Sequence, residues 1–182
     1  MAKTEEMVPK SVAARMLTTG FEWEAGLFTE VYKELVKRMS KEEARDILGK
    51  AMYRAGYRLG VEAHQFSENR GPQGMAEAWD GIYGMGTKEA DTLTEDRFTI
   101  HVFGCGAFDL MKRFGLSDED IRFISKAYCS GDAGQAKGFD GQMHFQHDFR
   151  LMNGDAQCLW DYSSTEMERS SAAVPVEEFD KE

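Results

Sequence analysis

Positive charge is what this chain has too little of: 22 Lys and Arg stand against 32 Asp and Glu, for a formal charge of −10 and a pI near 5.0. Nucleic acid and anionic membrane surfaces are held by clustered Lys and Arg, so neither is an expected partner. Long apolar runs are missing too. No uninterrupted stretch approaches the roughly 18 residues that a membrane span needs. The opening MAKTEEMVPKSVAARMLTTG has neither an apolar signal core nor a small-residue cleavage site. The expected location is the cytoplasm. Cysteine is sparse: Cys105, Cys129 and Cys158 are 24 and 29 positions apart with no CxxC, which fits neither a disulfide framework nor a standard zinc module. Reduced thiols are expected, and the spacing assigns no metal and no other cofactor.

What is present suits one compact domain, since 182 residues with 42% hydrophobic content can bury a sizeable core. Residues 21–39 carry Leu27, Phe28, Val31, Leu35 and Met39 near the 3.6-residue period of an amphipathic helix. SKEE then places Ser40 and Glu43 as a capping box for a second helix running to about Gln65. Its inward positions are read as Ala44, Ile47, Leu48, Ala51, Met52, Ala55, Leu59 and Ala63, with Gly56 and Gly60 among them letting another element come close. NRGPQG breaks that helix, and MAEAWDGIYGMG resumes as a short one.

RFTIHVF, 97–103, alternates and is rich in β-branched and aromatic residues, which predicts a strand. A helix follows at about 106–114, and Ser117 caps another that ends near Cys129. SGDAGQAKGFDG, with four of the eighteen glycines, reads as a loop. The expected architecture is α+β: a helical N-terminal half packed on a small antiparallel sheet formed by the C-terminal half. Residues 1–20 are read as an N-terminal arm, 21–162 as the domain, and 163–182, with six acids against two bases, as a disordered acidic tail.

QMHFQHDFRLMNGDAQCLWDY, 142–162, reads as a hairpin around a two-residue turn at Asn153–Gly154. That turn sets Leu151 opposite Ala156, Phe149 opposite Cys158, His147 opposite Trp160 and Phe145 opposite Tyr162. Met143, Phe145, His147, Phe149 and Leu151 then share the core face with Cys158, Trp160 and Tyr162. His144, Gln146, Asp148 and Asp161 fall on a solvated face. His147 is a polar ring in an apolar row, either a core histidine with a buried partner or part of a site.

Two more candidates stand beside it. Cys105 lies between glycines where a strand meets a helix, a place where helix N–H groups lower a thiol's pKa and Gly106 leaves room for a ligand; the alternative is an inert buried thiol. Cys129 closes a helix and Asp132 lies in the glycine-rich loop, where a carboxylate can orient a histidine or simply close an Asx turn.

HVFGC with Cys105, YCSGD with Cys129 and Asp132, and RLMNGDAQCLWDY with Cys158 and Trp160 together resemble the L-2-amino-thiazoline-4-carboxylic acid hydrolase family over roughly residues 25–162. The resemblance implies hydrolysis of a C–N or C=N bond in a small cyclic amidine- or lactam-like compound. Cys105 would then be the nucleophile, His147 or His101 would move protons, Asp132 would orient the histidine or a substrate amine, and N–H groups near Gly106 would stabilise developing charge. Cys129, Cys158, Trp160, Phe145 and Phe149 would line the substrate site. Other readings stay open. A metal-dependent hydrolase built from the same Cys, His and Asp residues would need them to converge in space. A binding or sensor module would use an aromatic-lined cavity including Trp79 and Trp160. A scaffold or assembly subunit would use the tail. The small-residue face of the second helix also suits a homo-oligomer.

Overall fold

The computed structural model describes residues 10–83, 88–148 and 151–167. In chain order these form α1 (Lys10–Leu35), α2 (Lys41–Ala63), α3 (Gly71–Tyr83), β1 (Lys88–Leu93), β2 (Arg97–Val102), α4 (Gly106–Arg113), α5 (Asp118–Phe139), β3 (His144–Asp148) and β4 (Cys158–Ser163). The strands make one antiparallel sheet in the order β1-β2-β4-β3. The class is α+β as expected, with five helices, mostly N-terminal, and the sheet in the C-terminal part.

Helix α1 starts at Lys10 and stops at Leu35, earlier at both ends than the periodicity suggested. Its buried stripe is Ala25, Phe28, Thr29 and Tyr32, while Leu27 and Val31 are exposed. Helix α2 opens on the predicted capping box: the Glu43 N–H donates to Ser40 Oγ at 3.2 Å and the Ser40 N–H to Glu43 Oε2 at 3.0 Å. Its inward face is rotated from the expected one. Leu48, Gly49, Tyr53, Gly56 and Gly60 are buried, whereas Ile47, Ala51, Ala55 and Leu59 are exposed.

The reason for that rotation is α5. Ser117 caps it, accepting from the Asp120 N–H at 3.1 Å, and it continues to Phe139 straight through the segment that the glycines mark as a loop. Those glycines face α2. A Cβ on Gly134 would lie 2.0 Å from the Tyr53 carbonyl oxygen, one on Gly138 2.0 Å from that of Tyr57, and one on Gly56 2.0 Å from that of Gly131. The two backbones are therefore in direct contact, and each helix supplies glycine where the other's carbonyls come nearest. Ser130 ties them further, its hydroxyl donating to the Gly49 carbonyl at 2.8 Å.

Two clusters of buried side chains result. Phe28, Tyr32, Leu48, Leu110, Met111, Ile121 and Ile124 pack among α1, α2, α4 and α5. Met75, Phe98, Ile100, Val102, Phe139, Met143 and Tyr162 pack between helices and one face of the sheet.

Strand β1 was not anticipated. KEADTL has little β propensity, but it pairs as an edge strand with a bulge between Ala90 and Thr92, where the Thr92 N–H donates to Thr99 Oγ1 at 3.0 Å. In the C-terminal hairpin the predicted register holds: Phe145 faces Tyr162 and His147 faces Trp160. The tight turn does not. Among the described residues the ladder runs as far as Asp148–Leu159, and the connection contains a 3-10 turn at Leu151–Asn153 and Gly154 with φ 95°. Leu151 and Met152 are thus not paired across a two-residue turn; the Leu151 N–H instead donates to Cys158 Sγ at 3.2 Å. The predicted Phe149–Cys158 pair lies outside the described residues.

Candidate functional site

Strand parity sorts the sheet's side chains. On the core face, β3 presents Phe145 and His147 and β4 presents Trp160 and Tyr162, with the Phe145 and Tyr162 rings 4.9 Å apart. His147 is 1% exposed, and the Trp160 indole N–H donates to its Nε2 at 2.8 Å. An indole nitrogen donates only, so Nε2 is an acceptor and the neutral ring carries its proton on Nδ1.

The opposite face is polar, but it is less solvated than the alternation implied. Asp161 is 2% exposed and takes a two-pronged hydrogen bond from Arg97, Nε to Oδ1 at 3.0 Å and Nη2 to Oδ2 at 2.6 Å, which satisfies the buried carboxylate. His101 is on this face too. Its ring stacks on Phe103 at 6.2 Å and its Nε2 lies 3.9 Å from Asp91, so the two histidines named as proton carriers sit on opposite sides of one sheet.

Helix α5 brings the remaining groups to His147. Cys129 and Asp132 are three residues apart on a helix and so share a face. One ligand atom each from Cys129, Asp132 and His147 lies within 4.8 Å of the other two. Asp132 is therefore a helical residue, and Cys129 sits within the helix instead of closing it. Cys105 precedes α4 as its N-cap and is close enough for the Asp132 charge to act on its thiol. Burial pushes that thiol up, the Phe108 and Ala107 backbone N–H groups pull it down, and the Asp132 and Asp109 charges push it up again. The lowered pKa expected for a thiol at a helix start is thus reversed, because burial outweighs the two amides. Gly106 leaves space that the Phe21 ring takes, a Cβ there falling 3.0 Å from it.

Two residues join the group without having stood out in the sequence. Tyr128, whose ring meets Phe28 edge-on at 5.2 Å, has its hydroxyl pushed well up by burial first, then by the Glu24, Cys105, Cys129 and Asp132 charges. Glu24 on α1 is raised by burial of its carboxyl, partly offset by the nearby Tyr128 hydroxyl. Tyr128 beside Cys129 was a usable signal; nothing in α1 marks Glu24. Cys158 belongs elsewhere, buried in the second core with its sulfur accepting from Leu151. No disulfide links the three cysteines. Phe149 lies outside the described residues, as does the Trp79 side chain.

A helical layer thus lies against a four-stranded antiparallel sheet, and a thiol, a carboxylate and an imidazole meet where helix and sheet join. The chain belongs to the L-2-amino-thiazoline-4-carboxylic acid hydrolase family, whose sequence model matches residues 20–162. Among curated proteins, none matches. Of solved structures, the chain is similar to the phenol-responsive sensory domain of the transcription activator PoxR with phenol, at 15% identity and TM-score 0.52 over 76% of this chain and 73% of that one. It is also similar to trafficking protein particle complex subunit 3 from Naegleria fowleri covalently bound to palmitic acid, at 18% identity and TM-score 0.51 over 82% of this chain and 99% of that one. At those identities the likeness concerns the fold. No described helix is long and apolar enough to cross a membrane.

Proposed function

We propose that this chain hydrolyses a C–N or C=N bond in a small cyclic amidine- or lactam-like compound, at the group formed by Cys105, Cys129, Asp132 and His147. The observation that supports it is the meeting of Cys129, Asp132 and His147 within 4.8 Å, with Cys105 near enough for Asp132 to perturb its thiol. In this mechanism the Cys105 sulfur bonds to the ring carbon and its proton passes to Asp132. The C–N bond breaks, and the proton moves from Asp132 to the departing nitrogen. Water then cleaves the sulfur–carbon bond, releasing a ring-opened product heavier by one water and restoring the thiol. His147, with one ligand atom within 4.8 Å of Asp132, stands where its ring can orient that carboxylate. His101 has no part, because it points from the other side of the sheet. The amides of Ala107 and Phe108, already acting on the Cys105 sulfur, offset charge as the thiol ionises.

The test is mass spectrometry of a thiazoline, cyclic amidines and lactams incubated with the purified protein and with its Cys105→Ala variant. Product heavier by one water, formed by the parent chain and lost by orders of magnitude in the variant, supports the reading; no product from any compound overturns it.

A second reading is a binding module without turnover. It is favoured by a groove of about 480 Å³ lined by Trp23, Gly26, Leu27 and Phe114, and by the phenol and palmitic acid carried by the two proteins of similar fold. For a binder, Cys105→Ala would leave ligand affinity nearly unchanged.

A further inference from the structure

We propose that Cys129, Asp132 and His147 form a binding site for one divalent ion of zinc's class, with Cys105 beside it and Trp160 opposing its entry. The donor set is sulfur, oxygen and nitrogen, which suits a borderline ion such as zinc better than magnesium or calcium, whose ligands are all oxygen. Bond lengths of about 2.0–2.3 Å around a tetrahedral ion put neighbouring ligand atoms about 3.3–3.8 Å apart. The three ligand atoms lie within 4.8 Å of one another, so side-chain adjustments on the order of 1 Å close the site. A thiolate and a carboxylate balance the ion's two charges.

Binding is a coordination step with no change of oxidation state. The Cys129 sulfur gives up its proton to solvent, and Asp132 binds as carboxylate. His147 has Nε2 engaged by Trp160, so it ligates through Nδ1, and its single ring proton moves to Nε2. That proton then faces the indole N–H. Two donors cannot hydrogen-bond each other, so loading the ion requires Trp160 to turn away. Three protein ligands leave a fourth position for water or for the Cys105 sulfur, and a nearby dication counteracts the burial that holds the Cys105 thiol up. With an ion in place Asp132 and His147 Nδ1 would be its ligands, so the ion would replace the proton-carrying role given to Asp132 in the hydrolase reading; only that role rests on the reading, and binding itself is independent of turnover.

The test uses the full chain after metal removal, titrated with Zn²⁺ by calorimetry and with Co²⁺ by absorption, with circular dichroism confirming that each variant is folded. The expected result is one ion per chain and a sulfur-to-cobalt charge-transfer band, both lost in Cys129→Ser and in His147→Ala. Trp160→Phe removes the opposing donor and binds about tenfold tighter, the size of effect one hydrogen bond has. Absence of the band in the parent chain, its survival in both ligand variants, or unchanged affinity in Trp160→Phe overturns the proposal. An ion bound normally by a chain that opens no ring would sink the hydrolase reading and leave the site standing; ring opening without any bound ion would do the reverse.

Discussion

The contact between α2 and α5 and the core face of the sheet hold the same molecule together in opposite ways. In the first, carbonyl oxygens of one helix lie where side chains of the other would begin, so glycines are the only residues that fit. In the second, the Phe98 and Phe145 rings both meet Tyr162, Phe98 stacked on it at 5.7 Å, and Trp160 meets His147 edge-on. Ring packing can adjust when a side chain changes. Backbone against backbone cannot, because moving an oxygen means moving a helix. The difference matters for chemistry, since Cys129 and Asp132 ride on α5 and His147 on the sheet.

Substitutions on each side sharpen that contrast. Gly134→Ala puts a methyl 2.0 Å from the Tyr53 carbonyl and should cost about 3 kcal/mol or more, at the upper end of overpacking losses; urea unfolding measures it, and a loss under 1 kcal/mol would show that the helices can separate. Phe145→Leu, at a half-buried ring on β3, should cost about 1 kcal/mol by the same assay, since cores absorb swaps of nearly equal volume. Gly20→Ala, mid-helix in α1 with nothing within 4 Å of the new methyl, should stabilise by about 0.5–1 kcal/mol through helix propensity alone. Opposite signs for Gly134 and Gly20 would separate a glycine required by contact from one that only weakens its helix.

Those same glycines mark where sequence reading stops. The Ser40–Glu43 box, the Ser117 cap, strand β2 and the start of α4 were legible because local chemistry decides them. Gly134 and Gly138 signal a breaker locally, yet a partner backbone makes them the residues a helix needs, and only the fold reveals the partner. KEADTL failed for a related reason: an edge strand is formed by its neighbour's hydrogen bonds more than by its own propensity. Alternation correctly put His147 on the core face opposite Trp160, although the turn used to argue it was wrong. It could not tell that Asp161, on the polar face, is buried under Arg97. For the site, the sequence puts Cys129 at a helix end and Asp132 in a loop, whereas α5 runs through both and brings them together. Glu24 was out of reach, since its role depends on where α1 crosses α5.

The long connection between β3 and β4 has a use. Because ladder partners, and no tight turn, set the register of His147 on β4, the exposed Gly154–Asp155 stretch is a place to open the chain. A protease site, a fluorophore or new termini from circular permutation could be introduced there, giving a handle a few residues from the site without changing which atoms face Asp132.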